Sequence, residues 1–252
     1  MMASAEALSC RGVTVRYGDF VAVDTVSIDF APGAVTSVIG PNGAGKTTLI
    51  NVLSGRQAPQ VGSVRLGVRD ITAMQAHRRA RLGIGRSFQI TRVFPEITVL
   101  ENVRLAAQAR LFRLQPFWRS AGRYAALDEA ADGILDEVGL QHLRDHSADT
   151  LSHGDQRALE VAITLATRPG VLLLDEPLAG VGEKEIDRTM RLIERAARGR
   201  TVVLVEHNIS AVMVLSHRVV VMTQGKVLAT GTPNEIRRNT AARRAYLGDE
   251  DA

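Results

Sequence analysis

The segment GPNGAGKTT, Gly40 to Thr48, sets three glycines, a lysine and two threonines at the spacing G-x-x-x-x-G-K-[ST]. Gly40, Pro41, Asn42, Gly43, Ala44 and Gly45 form a run whose glycines let the backbone curl, so that successive N–H groups point inward at phosphate oxygens. A helix starting at this point adds its positive dipole end. Lys46 is then expected to reach the β- and γ-phosphates and the Thr47 hydroxyl to bind Mg2+, with Thr48 closing the cradle. A Gly-rich turn between a strand and a helix could give a similar string without a ligand. That the chain has only three lysines and places one here weighs against that reading.

A second constellation is VLLLDEP. Four apolar residues run into Asp175 and Glu176, as a buried parallel strand would deliver two carboxylates to the carboxyl edge of a sheet. Asp175 can hold Mg2+, directly or through water, and Glu176 can polarise an attacking water as general base, which contributes about 10²- to 10⁴-fold in rate. Alone, such a pair could be a solvated turn before Pro177; beside a phosphate loop it gains a task. Guanine specificity usually needs an Asn-Lys-x-Asp segment, and none of the lysines follows an asparagine, so a GTPase is disfavoured.

These residues need a frame. Short apolar segments alternate with longer helical patterns that begin at Gly, Ser, Thr or Pro, which predicts an α/β fold with a mostly parallel sheet. LSCRGVTVRYGDFVAVDTVSIDF alternates apolar and polar residues around Tyr17-Gly18-Asp19 and reads as an antiparallel hairpin. Ala34 to Ile39 reads as the first buried strand and Gly45 to Ser54 as the helix after it. Further strands are expected at Val61 to Leu66, Ile84 to Phe88, Val171 to Asp175, Thr201 to Val205 and Arg218 to Thr223. The pattern between Thr91 and Thr167 is mostly helical, so a single domain over residues 1–252 is expected, with core 1–90 and 168–252 and an inserted helical subdomain at about 91–167. The charged GDEDA end is expected to fray.

Composition limits the alternatives. The 252 residues are 45% hydrophobic and 23% charged, an ordinary globular balance, and no apolar run approaches the roughly 20 residues of a membrane-spanning helix. MMASAEALSC lacks a basic start and an apolar core, and the single cysteine, Cys10, cannot form an internal disulfide, which together suggest a cytosolic chain. The net charge is only +4; the pI of about 9.7 reflects 28 arginines against three lysines, a uniform bias rather than a nucleic-acid surface. In residues 110–123 arginines interleave with Phe112, Phe117 and Trp118; a solvated or partner-facing loop is preferred there, and no nucleic acid is expected.

Taken together, these motifs resemble, in order and from about Leu8 to Gly248, the ATP-binding subunits of ABC transporters. The resemblance implies a P-loop core, an antiparallel β subdomain and an inserted helical subdomain, with ATP and Mg2+ as ligands. It makes Tyr17 the aromatic that stacks on adenine and Gln89, in GRSFQI, the glutamine that senses Mg2+ and the attacking water. His207, in VLVEHN, becomes the switch histidine at the γ-phosphate. LSHGDQ resembles the LSGGQ signature, so Ser152 and Gly154 would contact ATP held by the other protomer. His153 and Asp155 depart from that signature. Ser152 and Asp155 also fit S-x-x-D before an apolar helix, so a capping box accounts for the aspartate without a ligand. After Pro177 the chain reads LAGVG, with Gly182 where an aspartate is common.

The resemblance further implies a head-to-tail dimer with an identical or paralogous second ATP-binding subunit. It implies integral membrane permease subunits, a substrate-binding protein acting indirectly, and a peripheral place on the cytoplasmic side of the inner (plasma) membrane. GIGRSFQITRVFPEITVLENV, DEPLAG and ATGTPNEIRRNTAARRAYLG look like the branched-chain amino-acid importer group. A urea or amide importer and a lipopolysaccharide exporter share related segments and remain alternatives. A soluble ABC ATPase of DNA repair or translation is the more distant one, since it would usually carry tandem cassettes, coiled-coil insertions or zinc-binding cysteine pairs.

Overall fold

A computed structural model describes residues 5–87, 93–111 and 121–247. In chain order the elements are β1 (Leu8–Tyr17), β2 (Phe20–Phe30), β3 (Val35–Ile39), α1 (Lys46–Ser54), β4 (Val61–Leu66), β5 (Arg69–Asp70), α2 (Ala76–Arg81) and β6 (Ile84–Arg86). Then come α3 (Val99–Leu111), α4 (Ala121–Val138), α5 (His153–Ala166), β7 (Val171–Asp175), α6 (Glu183–Ala197), β8 (Thr201–Val205) and α7 (Ile209–Leu215). The chain closes with β9 (Arg218–Thr223), β10 (Lys226–Gly231), α8 (Pro233–Arg238) and α9 (Thr240–Leu247).

Two sheets result. One is antiparallel, in the order β2-β1-β4-β5; the other has the order β10-β9-β3-β8-β7-β6 and is parallel except for β10. The α/β expectation with a mostly parallel sheet and an antiparallel β layer therefore holds, and the strand Val61–Leu66 belongs to the antiparallel sheet. The strand expected to reach Phe88 ends at Arg86; Phe88 and Gln89 lie outside the described residues, as do the side chains of Arg110 to Arg123.

Side chains alternate across the parallel sheet with the strand period of two. Val171 and Leu173 of β7, with Val203 and Val205 of β8, face α1 and the antiparallel sheet in one buried cluster. Leu172, Leu174, Val202 and Leu204 face the other way, into a cluster shared with α3, α4 and α5. Truncating one such leucine to alanine would cost about 2–5 kcal/mol. Between 93 and 166 the described residues form helices and 3-10 turns, and their β-type pairing is limited to an isolated bridge, Thr98 to Ser147.

The helix that opens the phosphate loop is anchored at its far end. Arg79 is fully buried, and its guanidinium donates to the carbonyls of Val52 (2.7 Å) and Leu53 (2.9 Å) in the last turn of α1, and to those of Thr72 and Met74. A cation on the carbonyl end of a helix complements its dipole. Burial pulls the Arg79 pKa down to about 10, with Asp70 opposing the fall, so the charge is kept.

Candidate functional site

The loop Gly40–Gly45 is shaped by contacts that only glycine permits at two places. Gly40 has φ +147° and a Cβ there would stand 2.0 Å from the Met222 carbonyl oxygen; at Gly45, φ +95°, it would stand 2.3 Å from the Ala22 oxygen. The loop is thus pressed between β2 and the β9–β10 hairpin, and the Gly225 N–H donates to the Ala44 carbonyl at 3.2 Å. Gly45 caps α1 in the left-handed region with no side-chain bond to the first turn. Among the described residues the N–H groups of Gly43, Gly45, Lys46, Thr47 and Thr48 have no protein acceptor, so the dipole end of α1 faces outward with its donors available. Pro41, Asn42, Gly43 and Thr47 are exposed, and Thr48 is half-buried.

Lys46 is buried, and its ammonium donates to the carbonyls of Gly40 (2.7 Å) and Pro41 (3.0 Å). Burial depresses its pKa, and the carboxylates of Glu176 and Asp175 act against that fall, which puts both within electrostatic reach of the loop. β7 delivers them there. Its five residues are buried, Asp175 is the last of them, and Glu176 turns with φ +50°, a conformation uncommon for a non-glycine residue.

Asp175 is held by a residue that the sequence reading passed over. Arg86, at the end of β6, gives Asp175 Oδ2 a 2.8 Å ion pair and donates to Asn51 Oδ1 (2.7 Å) and Ser54 Oγ (3.1 Å) on α1. The other oxygen, Oδ1, is buried with no hydrogen-bond partner among the described residues. An acceptor left over in this way suits a hard cation or its water, so the residues fit Mg2+. Among the described residues no cluster of three or more His, Cys, Asp or Glu could hold a metal.

β8 lies beside β7 and ends one residue before Glu206 and His207. The His207 side chain is 63% exposed, its Nδ1 3.9 Å from Glu206 Oε2, whereas Glu206 is fully buried. Glu206 also escaped the sequence reading, although a charged residue straight after a five-residue apolar strand repeats the pattern that marked Asp175.

Ser152 and Gly154 stand at the start of α5, and no hydrogen bond or ion pair among the described residues joins them to Gly40–Thr48. Ser152 Oγ accepts the Asp155 N–H at 3.2 Å and donates to Asp155 Oδ2 at 2.6 Å, and the other Asp155 oxygen pairs with Arg188 of α6. The expected capping box is only half formed: the aspartate takes the serine hydroxyl rather than the N-cap N–H, and its charge is spent on Arg188. Burial alone would raise the Asp155 pKa, but the bonds from Ser152 and Arg188 outweigh it and hold the carboxyl below its usual range. Gly182 is the N-cap of α6, without a side chain to bond the first turn.

Tyr17 lies at the tip of the β1–β2 hairpin, half exposed, and its hydroxyl donates to Gln57 Oε1 at 2.6 Å. The Gln60 amide exchanges two 3.1 Å bonds with the Arg16 backbone beside it. The tip is therefore tied to the segment after α1.

Comparison with known proteins agrees with this geometry. A family model described as "ABC transporter" matches residues 23–179, and one described as "Branched-chain amino acid ATP-binding cassette transporter" matches residues 226–252. The high-affinity branched-chain amino acid transport ATP-binding protein BraF of Pseudomonas aeruginosa is 42% identical over 252 residues, which span 96% of this chain and 98% of BraF. The lipopolysaccharide export system ATP-binding protein LptB of Acidithiobacillus ferridurans is 36% identical over 246 residues, 97% of this chain and 98% of LptB. The crystal structure of the ADP conformation of MJ1267, an ATP-binding cassette of an ABC transporter, superposes with a TM-score of 0.83 at 31% identity, covering 97% of this chain and 99% of that one. A phosphate loop seated on α1, two carboxylates at the edge of a parallel sheet and matches over nearly the whole length converge: the chain belongs to the ABC transporter family, as one of its ATP-binding ATPase subunits.

Proposed function

We propose that this subunit powers the import of branched-chain or related amino acids, binding Mg-ATP between two head-to-tail copies or between itself and a paralogue. The observation that carries the cargo is the match of residues 226–252 to the branched-chain cassette family, supported by 42% identity to BraF. In this reading residues 1–90 and 168–252 form the core and about 91–167 the helical subdomain. Integral permease subunits receive the motion, a substrate-binding protein acts indirectly, and the chain works peripherally on the cytoplasmic face of the inner membrane. No helix of the described residues is long and apolar enough to cross it, which fits a peripheral place.

Gly40 to Thr48 would receive the phosphates. Lys46 exchanges its bonds to the Gly40 and Pro41 carbonyls for phosphate oxygens, a charge-assisted gain over neutral acceptors. Tyr17 stacks on adenine. Thr47 and Asp175, with Gln89, would hold Mg2+, which when bound neutralises charge developing on the phosphates. Glu176 takes the proton of the attacking water, and His207 donates to the γ-phosphate. Ser152 and Gly154 would complete the site of the opposite copy. For that contact Ser152 must turn its hydroxyl from Asp155, since a hydroxyl has one proton to give.

Uptake of labelled leucine and urea by cells carrying the native chain or Lys46→Ala tests the reading. Loss of leucine uptake alone is expected. Loss of urea uptake alone would keep the motor and change the cargo. Unchanged uptake of both would favour export, a second reading for which the 36% identity to LptB speaks.

A further inference from the structure

We propose that Glu206 is a positioning residue that locks the loop bearing Glu176 to the loop bearing His207. The proposal rests on the catalytic reading of those two residues. β7 and β8 run parallel and in register up to Asp175 and Val205, and one further backbone bond joins them, from the Glu176 N–H to the Val205 carbonyl at 2.8 Å. Beyond this point the backbone ladder stops. The Glu206 side chain continues it: Oε1 accepts the Leu178 N–H at 2.7 Å, and Oε2 accepts the N–H groups of His207 at 2.8 Å and Asn208 at 3.1 Å.

The carboxylate is fully buried, and no Lys or Arg pairs with it among the described residues. Its compensation is these three backbone donors, which ties the cost of burying the charge to keeping all three in place. Both proposed catalytic side chains need such support. Glu176 sits in a left-handed backbone conformation that its surroundings must enforce, and the exposed His207 ring is placed by its own main chain and by Nδ1 standing 3.9 Å from Glu206 Oε2. One side chain thus sets the distance between the general base and the γ-phosphate donor, where a misplacement of about 1 Å can cost about 10²-fold.

Glu206→Gln in the full-length chain tests this. A glutamine keeps one acceptor oxygen and can serve Leu178 or the His207–Asn208 pair, but not both. Expected is a fall in kcat of about 10- to 100-fold, with the ATP dissociation constant, followed with a fluorescent ATP analogue, within about twofold of the native value. In a His207→Ala background the same substitution should cost clearly less than it does alone, because two residues acting through one geometry do not add. The proposal is overturned if Glu206→Gln turns over like the native chain, if kcat and ATP affinity fall together with thermal stability, or if its full effect persists beside His207→Ala. A native chain without ATP hydrolysis would remove the catalytic reading itself, and the proposal with it.

Discussion

Replacing Arg86 with methionine isolates what holds Asp175, the proposed metal-site aspartate. The Arg86 and Asp175 side chains are 10% and 2% exposed, and their 2.8 Å pair spans β6 and β7. Methionine keeps the apolar stem but leaves a buried carboxylate without its cation, and Asn51 Oδ1 loses its donor. Breaking a buried pair from one side costs about 3–5 kcal/mol. For a chain of this size about 2–4 °C is lost per kcal/mol, so Arg86→Met should melt roughly 6–20 °C below the native chain without nucleotide. Adding Asp175→Asn removes the orphaned charge, so the double variant should recover part of the loss, with a coupling of about 2 kcal/mol or more. Thermal melts of the four proteins in chelator measure the cycle. A melting point for Arg86→Met within about 3 °C of native, or a double variant no better than the single one, would refute the reasoning.

Other outcomes follow from the same geometry. Burial pushes the Glu160 pKa up to about 7, with Arg157 opposing, so the folded state holds its proton more tightly than the unfolded chain. Its destabilising contribution is absent below the unfolded value of about 4.5, grows as pH rises to about 7 and is complete above. Glu160→Gln should therefore melt higher than native at pH 8 and converge with it near pH 5, in melts at matched ionic strength; a gap that is independent of pH would contradict this. Gly45→Ala puts a methyl 2.3 Å from a carbonyl oxygen at φ +95°. It should destabilise by about 2–5 kcal/mol and abolish nucleotide binding, read by urea melts and a fluorescent ATP analogue.

What the residues revealed and what they hid has a physical division. The phosphate loop was legible because its chemistry demands particular residues at fixed spacing, and β3, β7 and β8 because strands buried on both faces leave short runs dominated by Val, Ile and Leu. β10 was not read: KVLATG contains no buried residue and carries little pattern. Nor does a strand pattern say which sheet it joins, so the place of β4 beside β1 waited for the pairing itself. Arg86 and Glu206 escaped because a single polar residue at a strand end is ordinary, and their meaning lies in partners 89 and 28 positions away. The aspartate of LSHGDQ was correctly suspected of a local bond, but its partner on α6 could not be seen from spacing.

The strand order has a consequence for how this protein comes into being. β3, which leads into the phosphate loop, lies between β8 and β9, so residues 35–39 find their neighbours only at 202–205 and 218–221. A ribosome has made most of the chain before β3 and the phosphate loop after it can be seated. Nucleotide therefore cannot guide the early stages of folding, and in the newly made amino-terminal half β3 and β6 must wait unpaired while β1, β2 and β4 already have one another, the stretch of its life in which the chain most needs a chaperone.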